Sequence, residues 1–139
     1  MMNEDHSPPA DVARVLREHG LAPTLQRLEI ARVVFSRRRH LSAEQILAEV
    51  NASGRSSSKA TVYNTLKALL RAGLVREVIV DPSRVFFDPN VSPHHHFYDT
   101  DRGELMDIEA DAIRVDGLPE PPAGMVQDGI DIVIRVRRP

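Results

Sequence analysis

Residues 59–72 carry the hydrophobic pattern of a helix with one apolar side. Apolar residues recur there at spacings of three and four: Val62, Leu66, Leu69 and Leu70. Ser58 stands where an N-cap serine accepts a hydrogen bond from the first turn, and Gly73 stands where a glycine ends a helix. The pattern therefore predicts a helix between these two residues, followed by a change of structure.

Three further helices are predicted upstream of this one. The first spans residues 11–19, and the second begins after Thr24 as its N-cap. The inward side of the second helix is predicted to hold Leu25, Leu28, Ala31, Val34 and Phe35. The third helix spans residues 43–50, with Ser42 as its N-cap and Gln45 as the reciprocal partner of a capping box.

The pattern changes to that of strands after Gly73. Residues 75–80 and 84–87 are predicted to pair as two strands around a turn at 81–83. Helices followed directly by such a strand pair are typical of a winged helix-turn-helix domain, in which the last helix before the wing enters the major groove.

Residues 89–93 contain two prolines and no periodicity, which indicates a hinge. Beyond it we predict strands at 94–99 and 104–108, a short helix at 109–115, and a strand at 130–137. The last strand alternates apolar and polar residues, which favours a position at or near a dimer seam.

The predicted fold class is α+β, with two domains. A winged helix-turn-helix DNA-binding domain occupies residues 1–88, and a small α/β dimerisation domain occupies residues 94–139, after the hinge at 89–93.

Composition limits the class of protein. No stretch approaches about 18 consecutive apolar residues, so we expect no membrane span. The N-terminus lacks a basic-then-apolar signal pattern, so we expect a cytoplasmic protein. The chain has no cysteine, which excludes disulfides, a thiol nucleophile and a CxxC zinc clip.

Charge is distributed unevenly along the chain. Residues 1–88 hold 13 basic against 10 acidic residues, whereas residues 89–139 hold 5 against 10. This asymmetry suits a nucleic-acid-binding module followed by a module of another kind.

The polar face of the predicted fourth helix carries groups that suit DNA: Lys59, Tyr63, Asn64, Lys67 and Arg71. These supply cations for phosphates, an amide for a base edge and a ring for thymine methyls. An ordinary solvated helix face is the alternative. Arg37, Arg38 and Arg39 end the second helix. Their positive charges either stabilise the negative C-terminal end of the helix dipole or contact DNA phosphates.

Three adjacent histidines begin the strand at residues 94–99. Side chains alternate along a strand, so His94 and His96 point to one face and His95 to the other. Carboxylates are close in sequence at Asp88 and on the next strand at Asp107, and His40 could fold back onto the hinge. Imidazoles and carboxylates without thiolate suit Fe²⁺, Mn²⁺ or Zn²⁺. Ordinary surface histidines are the alternative.

Several segments together resemble the ferric uptake regulator (Fur) family over roughly residues 11–137. They are GLAPTLQR, HLSAEQIL, SKATVYNTLKALLRAGLV and the triple histidine, in the order the family shows. The segments FFDPNVSPHHHFYDTDRGELMDI, LPEPPAGM and IDIVIRVRR are most similar to the iron response regulator (Irr) branch.

The resemblance implies a dimeric, winged-helix repressor of iron homeostasis that binds palindromic double-stranded DNA and responds to metal. One divalent metal per chain would then be held by His40, Asp88, His94, His96 and Asp107. Tyr63 matches the family's base-reading tyrosine, and Arg27 matches a helix-two arginine whose role is open. The Irr-like histidines imply haem binding by His94, His95 and His96, with His95 as the best axial candidate.

Three departures from the family pattern change these expectations. The zinc-binding cysteines of many members fall on Asp99 and Arg102, so no structural zinc site is expected. A basic residue used in the minor groove falls on Ala22, and no Cys-Pro haem motif exists.

Other functions remain open at the level of sequence. A peroxide-sensing Fe/Mn repressor would use the same histidines and carboxylates. A mononuclear metal enzyme, such as a two-His-one-carboxylate oxygenase or a hydrolase, would also use them, but the basic helix would then be unexplained. A metal-independent protein-interaction module is the remaining alternative.

Overall fold

The structure is a computed structural model that describes residues 11–36, 40–52, 54 and 57–139. The predicted phosphate contacts of Arg37, Arg38 and Arg39 lie outside these residues. The chain divides into two compact units, the first ending at Val91 and the second beginning at Ser92. This division falls within the predicted hinge. No described helix has the length and apolar character that a bilayer span requires.

The first unit contains four helices and a three-stranded sheet among its described residues. In chain order they are α1 (Val12–Glu18), α2 (Leu25–Phe35), β1 (Leu41–Ser42), α3 (Ala43–Ala52), α4 (Lys59–Arg71), β2 (Arg76–Asp81) and β3 (Arg84–Asp88). The antiparallel sheet has the order β1-β3-β2. The predicted helices and wing are confirmed, whereas the two-residue strand β1 was not predicted.

Local sequence determines where these helices begin and end. The Thr24 hydroxyl accepts a hydrogen bond from the backbone of Arg27, and Ser58 accepts one from Thr61. Ser42 and Gln45 form both hydrogen bonds of the predicted capping box. These contacts set the start of α2, α3 and α4.

The core of the first unit lies between the helices and the sheet. It is formed by fully buried aliphatic side chains from α1, α2, α3 and α4: Leu16, Ile30, Ile46, Val62, Leu66 and Leu69. The apolar stripe predicted for α4 is confirmed as its buried side. One inward assignment was wrong, because Leu25 is 58% exposed, whereas Ile30, which was not assigned inward, is fully buried. Leu25 is the first residue of the helix, where the core no longer covers it.

The second unit is a small sheet of three strands. They are β4 (His94–Asp99), β5 (Glu104–Glu109) and β6 (Val133–Val136), in the order β5-β4-β6. Strand β5 is antiparallel to β4, and β6 is parallel to it. The short helix predicted at 109–115 was wrong, since only Ala110–Ala112 form a single 3-10 turn.

Candidate metal centre and nucleic-acid interface

Two of the predicted metal-binding residues meet in the first unit. The pairing of Leu41 with Phe87 brings β1 beside β3, so that His40, just before β1, lies next to Asp88, at the end of β3. Nε2 of His40 is 2.9 Å from Oδ2 of Asp88. The other carboxylate oxygen of Asp88 accepts a hydrogen bond from the backbone of Asn90, also at 2.9 Å. Both oxygens of this buried carboxylate are therefore held in place.

The other three predicted ligands meet in the second unit. His96 and Asp107 are directly paired across β4 and β5, and His94 lies two residues earlier on the same side of β4. Nε2 of each histidine is 3.4 Å from Oδ1 of Asp107, and the two ring centroids are 4.5 Å apart. His94 is 5% exposed and His96 is 1% exposed. Nitrogens of two buried imidazoles thus converge on one oxygen of a partly exposed carboxylate.

The hydrogen bond of Nδ1 determines which nitrogen of the His94 ring carries the proton. Nδ1 lies 2.7 Å from the carbonyl oxygen of Ser92, which can only accept, so Nδ1 is the donor. In the neutral ring, Nε2 then carries a lone pair that faces Asp107. A lone pair and a carboxylate oxygen repel unless a proton or a cation lies between them. Imidazole nitrogen and carboxylate oxygen both ligate Fe²⁺, Mn²⁺ and Zn²⁺, so the chemistry of these groups fits a divalent metal.

His95 lies on the opposite side of β4, as predicted from strand alternation. Its Nδ1 accepts a hydrogen bond from the backbone N–H of Ile132 at 3.1 Å. The bond ties the chain before β6 to β4, and it uses one of the two ring nitrogens. His95 therefore has a structural partner, whereas a haem ligand would need a ring nitrogen with an open approach.

The DNA-facing residues predicted on α4 share its outer side. Lys59, Asn64, Lys67 and Arg71 are exposed, while Val62, Leu66 and Leu69 on the inner side are at most 1% exposed. Lys59 and Lys67 are the chain's two lysines. This helix therefore presents three cations and an amide without breaking its own packing.

Tyr63 is half-buried on the same side of α4 and has two charged neighbours. Its hydroxyl donates a hydrogen bond of 2.8 Å to Oε1 of Glu44 in the first turn of α3. Nζ of Lys59 lies 5.7 Å from the centre of its ring. The shared hydrogen bond raises the pKa of Tyr63 above its ordinary value and lowers the pKa of Glu44. At neutral pH the tyrosine is thus protonated and the glutamate ionised.

Arg27 lies near the start of α2, where its guanidinium donates to the carbonyl oxygen of Ala22 at 3.2 Å. This contact folds the side chain back over the segment that precedes the helix. Arg27 is thereby held close to the N-cap, and its sequence-predicted role in DNA binding stays a prediction.

At Asp99 and Arg102, where the family resemblance would place cysteines, the structure has a hydrogen-bonded turn. Oδ1 of Asp99 accepts from the backbone N–H groups of Asp101 and Arg102, at 2.9 Å and 3.0 Å. Arg138 reaches the same carboxylate at 2.9 Å and lowers the pKa of Asp99. A carboxylate and a guanidinium, rather than thiolates, therefore organise this turn.

Three residues of these sites were not found from the sequence. Glu44 and Arg138 lie in polar surroundings where acidic and basic side chains are ordinary. Ser92 contributes only a backbone carbonyl, to which its side-chain type gives no clue. Only the pairing of helices and strands brings these groups to their partners.

Comparisons with known proteins agree with this architecture. The profile of the ferric uptake regulator family matches residues 18–117. The peroxide-responsive repressor PerR of Staphylococcus aureus is 31% identical over 94 residues. That match covers 68% of this chain and 64% of the repressor, so the chain spans less than two thirds of this relative.

Solved structures show the same fold. The crystal structure of Vibrio cholerae Fur has a TM-score of 0.72 at 21% identity, covering 92% of this chain and all of the other. Pseudomonas aeruginosa Fur with manganese has a TM-score of 0.67 at 27% identity, covering 92% and 98%. The Irr-branch resemblance rests on sequence segments alone and stays a prediction. With its family profile matched over most of the length and the same fold in both solved structures, the chain belongs to the ferric uptake regulator family.

Proposed function

We propose that this protein is a metal-responsive transcriptional regulator that binds palindromic operator DNA as a homodimer. The observation that carries the proposal is the outer side of α4, where Lys59, Lys67 and Arg71 are exposed around Tyr63 and Asn64. A cytoplasmic location follows from this role. Family membership favours a regulator over a mononuclear metal enzyme, and the S. aureus relative is named as a repressor.

In this proposal α4 enters the major groove. The lysines and Arg71 contact phosphates, with Arg27 and Arg37–Arg39 as further candidates, while Tyr63 and Asn64 meet base edges. A good pair of base contacts contributes about 1–3 kcal/mol of discrimination.

A binding titration of Tyr63→Ala against operator-like and random duplexes tests this assignment. The duplex is first selected from a random pool with the parent protein. The proposal predicts a clear loss of affinity for the selected duplex and a smaller change for random DNA. Unchanged affinity for both duplexes would contradict the assignment of α4 to the major groove.

The second unit supports the homodimer part of the proposal. Phe97 is paired with Met106 on one side and with Ile134 on the other, and all three side chains are exposed. Further exposed apolar residues follow along the unit: Val115, Leu118, Met125, Val126 and Ile130. So many exposed large apolar groups in so small a unit mark a surface for a partner. A second copy of the chain would cover this surface by two-fold symmetry.

We further propose that one divalent metal per chain binds all five predicted ligands. His40 and Asp88 form a preassembled pair in the first unit, and His94, His96 and Asp107 form a preassembled set in the second. Only a few residues separate Asp88 from His94. Three imidazoles and two carboxylates suit Fe²⁺ or Mn²⁺, with Zn²⁺ as a substitute. The related P. aeruginosa Fur was solved with manganese, which is consistent with this choice.

An ion held from both units would favour one arrangement of the two. Such binding changes affinity for DNA only to the extent that the ion prefers that arrangement. Operator titrations of the metal-free and the Mn²⁺-loaded protein measure this coupling and its sign. The Irr-like sequence segments imply DNA binding under low iron, and hence weaker binding after loading. A resemblance to the main branch of the family implies the opposite sign, with stronger binding after loading.

Peroxide sensing is a second candidate, favoured by the similarity to S. aureus PerR. Fe²⁺ held by histidines and carboxylates exposes its own ligands to oxidation by peroxide. Mass spectrometry after iron and peroxide should then find added oxygen on His40, His94 or His96. Unmodified histidines would contradict this candidate.

Haem binding by His94, His95 and His96 remains a separate proposal from the Irr resemblance. His95 would have to give up its hydrogen bond from Ile132 to act through Nδ1. A Soret titration of His95→Ala against the parent protein tests it, since an unchanged spectrum and affinity would exclude His95 as an axial ligand.

A further inference from the structure

Glu44 places a negative charge on the surface that is proposed to meet DNA. It lies in the first turn of α3, exposed, and it joins α3 to α4 through the hydroxyl of Tyr63 at 2.8 Å. A carboxylate repels phosphates, so its presence beside the lysines of α4 weakens non-specific attraction to DNA. Its contact with Tyr63 indicates a different role.

Several groups keep Glu44 ionised and fixed. The N-terminal end of a helix favours a negative charge, and the hydrogen bonds from Tyr63, from its own backbone N–H and from Ser42 lower its pKa. Lys59 adds a smaller electrostatic contribution in the same direction. Glu44 and Tyr63 also line one groove of about 300 Å³ with Lys67 and with Glu77 and Ser83 of the wing. The pair is therefore preformed at an open surface.

The ionised carboxylate determines the polarity of the Tyr63 hydroxyl. A phenol has a single O–H donor, and an ionised carboxylate can only accept. When that proton is directed to Glu44, the oxygen of Tyr63 presents only its lone pairs to other partners. In the major groove such an acceptor matches the amino groups of adenine N6 and cytosine N4, and it does not match guanine O6 or thymine O4.

We propose that Glu44 is a positioning residue that fixes Tyr63 as a hydrogen-bond acceptor, so that the tyrosine selects a base amino group. The inference rests on the proposed DNA-binding function, and it adds a chemical preference that the helix face alone does not give. It makes Glu44 a determinant of specificity even though the residue opposes general attraction to DNA.

A spectroscopic experiment tests the pairing without DNA. The chain has two tyrosines and no tryptophan, so a Tyr98→Phe background leaves Tyr63 as the one source of phenolate absorbance. Glu44→Ala should lower the pKa of Tyr63 toward its ordinary value, whereas Glu49→Ala, on the same helix, should leave it unchanged. If Tyr63 has the same pKa in the Tyr98→Phe protein and in its Glu44→Ala and Glu49→Ala derivatives, the inference is overturned.

A binding experiment tests the polarity. In a duplex selected by the parent protein, each adenine is replaced in turn by purine and each cytosine by pyrimidin-2-one, which removes the amino group. At the position read by Tyr63, removing the amino group should lower the affinity of the parent protein for the duplex about two- to tenfold, the range expected for one hydrogen bond. Tyr63→Phe and Glu44→Ala should lose this sensitivity, and Glu49→Ala should keep it.

The outcomes separate this inference from the proposed function. If Tyr63→Ala leaves binding to every duplex unchanged, the DNA-binding assignment fails and the inference fails with it. If Tyr63→Phe loses sensitivity to the amino group but Glu44→Ala keeps it, Tyr63 reads DNA without help and only the role of Glu44 is overturned. If no amino group matters to the parent protein, the proposed polarity is wrong.

Discussion

Arg138 donates hydrogen bonds to both carboxylate oxygens of Asp99, at 3.3 Å to Oδ1 and 2.9 Å to Oδ2. Its guanidinium and its backbone N–H also reach Asp101, at 3.3 Å and 2.9 Å. The end of the chain, just after β6, is thereby attached to the turn that follows β4. These hydrogen bonds attach the edge strand β6 to the turn, in addition to the backbone hydrogen bonds that pair it with β4.

This pair predicts a pH-dependent contribution to stability. Since Arg138 holds the pKa of Asp99 below its ordinary value of about 4, the pair stabilises the fold above that pH. The contribution is lost as the pH falls through the lower pKa of the folded protein. Arg138→Ala should therefore reduce the melting temperature by a few degrees at neutral pH and not at all in strong acid.

Thermal melts from neutral to acid pH, followed by circular dichroism, check this expectation. Arg137→Ala is the matched control and should leave the curve unchanged. A difference between Arg138→Ala and the parent protein that stays constant at all pH values would show that lost packing, rather than the ion pair, is responsible.

The helices and the wing were predictable because each has a local signal. Ser58 and Gly73 mark the ends of α4, and Ser42 with Gln45 marks the start of α3. Strand β1 was missed because two residues carry no periodicity, and it forms only through pairing with β3. Leu25 was assigned inward because a helical stripe says nothing about how far the core extends.

The core assignment in the first unit predicts a contrast between two leucines. Leu69 is fully buried, so Leu69→Ala should cost about 2–5 kcal/mol of the free energy of unfolding. Leu25 is 58% exposed, so Leu25→Ala should change it by about 0.5 kcal/mol or less. Urea unfolding of both variants measures this. Equal losses would mean that α2 is placed wrongly.

The candidate site was only partly predictable from sequence. Strand alternation put His94 and His96 on one side of β4, and Asp107 was expected on the next strand, where it pairs with His96. The meeting of His40 with Asp88 could not be derived from spacing, because it depends on β1. The Glu44 contact to Tyr63 depends on the packing of α3 against α4, which no local pattern specifies.

The proposed DNA interface predicts a change in salt dependence. If Lys67 contacts one phosphate, Lys67→Ala should reduce the slope of log affinity against log salt by about 0.9. It should also lower the affinity for DNA by a similar factor whatever the DNA sequence. Arg114→Ala in the second unit is the control and should leave the slope unchanged. Titrations at several salt concentrations decide it. An unchanged slope for Lys67→Ala would place that lysine away from the phosphates.

The proposed dimer surface predicts that one of two exposed isoleucines matters for assembly. Ile134 on β6 is paired with Phe97 on β4 and would be buried against the partner. Ile134→Asp should therefore shift the protein towards monomer in sedimentation experiments. Ile79 in the wing is 63% exposed and lies outside that surface, so Ile79→Asp should sediment as the parent protein does. An Ile134→Asp protein that stays dimeric would contradict this surface.

The shared ion is tested most directly by calorimetric titration of Mn²⁺ into the metal-free parent protein and three single-histidine variants. His40→Ala removes a donor from the first unit, His94→Ala removes one from the second, and His19→Ala, whose ring contacts the backbone of Val15, is the control. A shared ion predicts one Mn²⁺ per chain in the parent protein. It also predicts a fall in affinity of at least about tenfold in both His40→Ala and His94→Ala, because even the outer partners of metal ligands contribute about 10–100-fold. Full affinity retained by either of these two variants, or two independent ions in the parent protein, would contradict it.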